Sequence, residues 1–94
     1  MSSPPHREDF EYRLRSLLRA AAARGERVVT IRSGDLHREV GGYPATNHRM
    51  PVCCDVMRAA VGPADRVVAE PPSGRGANLF IEYRVPVTGD EGGR

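Results

Sequence analysis

Residues 33–61 read SGDLHREVGGYPATNHRMPVCCDVMRAAV, two short apolar-periodic runs separated by a bridge rich in glycine and turn-forming residues. In the first run Leu36 and Val40 stand at i and i+4, which places them on one face of a two-turn helix over residues 34–40. Ser33 is suited to cap that helix, Asp35 falls in its first turn near the positive end of the dipole, and Gly41-Gly42 ends it. In the second run Pro51 marks a helix start, because proline fits the first helical position, where no amide donor is needed. The spacing predicts a helix over residues 51–61 with Val52, Cys53, Val56, Met57 and Ala60 on the inner side. Gly62-Pro63 stops it, and Pro44 and Asn47 mark the bridge as a turn.

Upstream, Phe10, Leu14, Leu17, Leu18 and Ala21 recur at i, i+4, i+7, i+8 and i+11 and predict a helix over residues 7–24. Glu8, Asp9 and Glu11 suit its N-terminal end, Arg19 and Arg24 its C-terminal end, and Gly25 its stop. Glu11 and Arg15 have the spacing of an i, i+4 ion pair. Residues 27–32 (RVVTIR) are β-branched and short, and read as a strand. Downstream, residues 65–70 and 79–85 are strand-like. In the latter, Leu79, Ile81, Tyr83 and Val85 alternate with Phe80, Glu82 and Arg84, the period of a sheet with one buried face. The eight residues between them, PPSGRGAN, are too many and too glycine-rich for a tight turn.

The predicted order is helix, strand, helix, helix, strand, long loop, strand, an α+β arrangement. This order and these lengths resemble the winged helix-turn-helix superfamily over about residues 7–86. The bridge over residues 41–50 is longer than the usual three or four residues between the two helices of that motif. Residues 1–6 and 87–94, rich in Ser, Pro and Gly, are expected to be flexible ends.

The resemblance implies double-stranded DNA as partner, with the third helix in the major groove and the last hairpin as the wing. The outward side of the third helix is expected to carry Pro51, Cys54, Asp55 and Arg58, preceded by Thr46, Asn47, His48 and Arg49. Arg can bond guanine O6 and N7, and Asn adenine N6 and N7. Thr46 and Asn47 equally suit plain helix caps or a phosphate at the helix N-terminus. Ser73-Gly74-Arg75-Gly76 puts one Arg on a glycine-flanked loop, suited to phosphate or a minor groove. Pro51 and Tyr43 offer apolar contact to a thymine methyl or a methylated base, so the domain would be sequence- or modification-selective, in a regulatory or DNA-defence setting. A single module buries little DNA surface, about 600–1,000 Å2, so a homodimer or a separately encoded partner protein is expected, with Leu18 and Phe80 as candidate contacts. The alternative is a winged helix that binds another protein and makes no DNA contact.

Composition narrows other classes. The 94 residues suffice for one domain, and the net charge of +2 is mildly basic. All 14 cations are Arg, a pattern that GC-rich coding alone explains but that suits phosphate and guanine contacts. No apolar run approaches the ~18 residues of a membrane span, and the N-terminus has no hydrophobic signal core, so a cytoplasmic protein is expected. Cys53 and Cys54 are adjacent, which suits free thiols better than a disulfide or a zinc pair, and His48 nearby does not complete a ligand set. His37, His48, Asp35 and Asp55 form no catalytic motif, and no cofactor loop is present, so neither enzymatic activity nor a cofactor is expected.

Overall fold

The computed structural model describes residues 6–41, 49–72, 74 and 76–85. Over these described residues the chain forms a small α+β domain with three helices, α1 (Arg7–Ala23), α2 (Ser33–Gly41) and α3 (Met50–Ala59), and three strands, β1 (Val28–Arg32), β2 (Arg66–Ala69) and β3 (Phe80–Arg84). The strands make one antiparallel sheet in the order β1-β3-β2.

Helix α1 buries Phe10, Leu14, Leu18 and Ala21, with Leu17 half-buried at the edge of the same stripe. Its end is set by Gly25, whose φ of 86° lies in the left-handed region that an L side chain resists. Gly25 N–H donates to Ala22 O at 3.0 Å and Glu26 N–H to Ala21 O at 3.1 Å, a Schellman closure of the last carbonyls. At the other end the Asp9 carboxylate accepts the His6 N–H at 2.8 Å. Glu11 pairs with Arg7, four residues before it, at 3.0 Å, and not with Arg15, four residues after it. Leu18 lies in the core, so it is not a surface available for dimer contact.

Strand β3 is the middle of the sheet. Its register sets Ile81 beside Ile31 and Val67, and Glu82 beside Thr30 and Arg66. Leu79, Ile81, Tyr83 and Val85 are buried, as the alternation predicts, while Phe80, Glu82 and Arg84 face outward. Strand β2 is an exposed edge, and a register shift between Val67 and Ala69 leaves Val68 without a cross-strand partner and 52% exposed. The turn into β2 is closed by Asp65, which lies outside the strand: its carboxylate accepts Gly62 N–H and Arg84 N–H, both at 2.7 Å.

The three helices pack on one another, α1 and α2 also touch β1, and the core lies between helices and sheet. Among the described residues no helix is long and apolar enough to cross a membrane.

Candidate functional site

The residues nominated from the sequence converge on α3 and on the connection between β2 and β3. Helix α3 starts at Met50, one residue before the predicted start, with Pro51 exposed in its first turn and Arg49, half-buried, as its N-cap residue. The Arg49 side chain makes no capping bond. Its backbone N–H donates instead to Nε2 of His37 at 3.1 Å. His37 is buried on α2, with its ring 5.6 Å from that of Phe10. Accepting at Nε2 requires that nitrogen to be unprotonated, so His37 serves as a fixed acceptor that sets the start of α3. Thr46, Asn47 and His48, together with Tyr43, lie outside the described residues, as do Ser73 and Arg75.

Cys54 is not on the outer face. It is fully buried, and its Sγ donates to Gly76 O at 3.4 Å. The α3 face that faces inward is Met50, Cys53, Cys54, Val56 and Met57, wider than the single stripe that the spacing predicts. The cause is tertiary: the β2–β3 connection folds over α3 and covers the side that would otherwise meet solvent. Ala60, expected inward, is exposed just past the helix end.

The connection is held by a cluster around Ser33. Ser33 is the first residue of α2 and is buried, but its hydroxyl does not cap the helix. It donates to Gly76 O at 2.7 Å and accepts the Leu79 N–H at 3.1 Å. The backbone adds Ser33 N–H to Leu79 O at 2.8 Å and Gly34 N–H to Ala77 O at 2.9 Å. The first amides of α2, which an anion would otherwise use, are thus spent on the loop. The approach is so close that a β-carbon on Gly34 would lie 3.1 Å from both the Ala77 carbonyl oxygen and its Cβ. Cys53 Sγ completes the cluster by donating to Ser33 O at 3.5 Å.

Arg58 closes the other side. Its Nη2 donates to Glu70 Oε1 at 3.0 Å and to Gly74 O at 2.8 Å. Arg58 therefore joins α3 to two points of the β2–β3 connection. Of the nominated residues that the structure describes, Arg49 and Arg58 are at the surface and Cys54 is inside. Ser33, His37, Gly34 and Glu70 also build this region. No local pattern hinted at that role, since their partners lie 12 to 46 residues away in sequence.

Burial pushes the Cys53 thiol up to about 12, with Cys54 adding to the effect, so it is a protonated packing group and no nucleophile. Burial likewise raises Tyr83, reinforced by Asp65 and Cys53; its hydroxyl donates to Met57 O at 2.8 Å. Both groups are neutral when folded and ionise more readily when the chain unfolds. Their contribution to stability is complete below the ordinary thiol value of 9.0 and is lost as pH rises from there towards about 12. The urea midpoint is expected to fall between about pH 8 and about pH 10.5, and to fall less in Cys53→Ala than in the native chain. An equal fall in both would remove Cys53 as a cause.

Among the described residues no group of three or more His, Cys, Asp or Glu could hold a metal ion. Ion pairs tie most of the described arginines to carboxylates, among them Arg13–Glu39 at 3.5 Å, Arg32–Asp35 at 3.0 Å and Arg66–Glu82 at 3.1 Å. Comparison with protein-family models, with curated proteins and with solved structures finds no match for this chain.

Proposed function

We propose that the chain is a winged helix-turn-helix domain that binds double-stranded DNA, with α3 entering the major groove and the β2–β3 loop serving as the wing. The observation that carries this reading is the direct link between α3 and that loop, Arg58 to Gly74 and Cys54 to Gly76. It ties to each other the two elements with which such a domain grips a duplex. The element order and the β1-β3-β2 sheet support the same architecture. Arg49 and the exposed Pro51 stand at the N-terminal end of α3, the end that leads into the groove. Thr46, Asn47, His48, Ser73 and Arg75 are proposed contacts from the sequence alone. Pro51 and Tyr43 are proposed as apolar contacts to a thymine methyl or a methylated base, which would make the domain sequence- or modification-selective in a regulatory or DNA-defence setting.

Fluorescence anisotropy of a labelled random-sequence duplex at two salt concentrations tests this. Micromolar binding that weakens steeply with salt is expected, because each neutralised phosphate releases counterions. Arg75→Ala should weaken binding to all sequences and lower the salt slope by about 1, whereas Asn47→Ala should cost about 1–3 kcal/mol at one base pair. Absence of binding at low salt would overturn the reading and leave the protein-binding alternative. The exposed edge strand β2, with Val67 and Val68 on its surface, favours that second reading.

A further inference from the structure

We infer that Arg58 and Glu70 form a brace that fixes the β2–β3 loop against α3, so that Arg58 serves DNA binding as a positioning residue for the loop and not as a reader of bases. This rests on the DNA-binding reading, but the brace itself is a property of the free domain.

The geometry is specific. Glu70 directly follows β2, and Gly74 lies four residues further on, where its N–H donates to Pro71 O at 2.9 Å and its φ is 83°. The loop's downstream arm is tied by the bonds from Ser33 and Cys54 to Gly76 and from Gly34 to Ala77. On the upstream side the tie is Arg58, which reaches the carboxylate of Glu70 and the carbonyl of Gly74 from one nitrogen. Those two bonds use both hydrogens of Nη2. Either bidentate approach to guanine O6 and N7, end-on through Nη1 and Nη2 or side-on through Nε and Nη2, requires a hydrogen on that same nitrogen. Reading a base would break one of the two ties, and Glu70 beside the guanidinium repels an incoming phosphate. The side chains are partly open, 35% exposed for Arg58 and 55% for Glu70, so the pair adds little to global stability. Its effect is local, on where the loop sits.

Glu70→Gln separates the two roles by sign. If Arg58 reads bases, weakening its carboxylate partner frees it, and affinity for duplex DNA rises. If Arg58 is a brace, Glu70→Gln loosens the loop, and affinity falls about three- to tenfold in spite of the lost negative charge, as it does in Arg58→Ala. The double variant should then be no worse than either single one, and the base preference selected from a random pool should stay unchanged in all three. In the free protein the 15N heteronuclear NOE of the Gly74 amide should drop in both single variants while the thermal midpoint hardly moves. Unchanged order at Gly74, or higher affinity in Glu70→Gln, would overturn the brace. If the native domain binds no duplex, the DNA reading fails, and the Gly74 measurement alone decides the brace.

Discussion

Ile81→Ala is expected to destabilise the domain by about 2–5 kcal/mol, and Leu36→Ala by a similar amount. Ile81 is fully buried at the centre of β3, between Ile31 on one neighbouring strand and Val67 on the other. Leu36 is fully buried on α2 within the same cluster. Truncating either removes apolar contact and leaves a cavity that a close-packed interior fills poorly. A domain of this size has a total stability on the order of 5–14 kcal/mol, so the loss is a large fraction of the whole. Urea denaturation followed by circular dichroism measures it. A midpoint close to that of the native chain would show that these side chains do not sit in a packed core.

Ser33→Ala is expected to cost about 2–4 kcal/mol, far more than an exposed serine would. The hydroxyl serves two partners at once, Gly76 O and Leu79 N–H, and both lie in a covered region. Removing it leaves the buried Leu79 N–H without a partner, at about 1–3 kcal/mol, and takes from Gly76 O the shorter of its two bonds, at about 0.5–1.5 kcal/mol, the other being from Cys54. The result separates two uses of the same residue. As an N-cap of α2, Ser33 would be worth about 1 kcal/mol, and its loss would fray the helix start. As the anchor of the β2–β3 loop, its loss should also speed hydrogen exchange at the Leu79 amide. A shift of about 1 kcal/mol with Leu79 protection intact would restore the capping role.

Much of the fold was legible because local pattern and tertiary demand agree. The stripe of Phe10, Leu14, Leu18 and Ala21 is buried as its 3.6-residue period requires. Gly25 stops α1 through its own backbone freedom, which needs no partner elsewhere in the chain. The alternation from Leu79 to Val85 separates the two faces of β3, and Gly62-Pro63 separates α3 from the sheet. Element boundaries moved by one or two residues: α3 begins at Met50 before Pro51, and Asp65 belongs to the turn because its carboxylate is committed to two backbone amides.

Sequence by itself therefore determined the helices and strands, their order, and which residues of α1 and β3 point inward, since these follow from periodicity and from glycine and proline chemistry within a few residues. Tertiary structure alone decided what the polar groups near α3 do. Cys54 reads as a surface thiol until the β2–β3 loop lies across it. Ser33 reads as a cap until Gly76 and Leu79 arrive from 43 and 46 residues away. Arg58 reads as an outward-facing DNA contact until Glu70 and Gly74 meet its guanidinium. The physical reason is the same in each case. A side chain's burial and hydrogen-bond partners depend on which distant backbone is laid over it, and no local period encodes that.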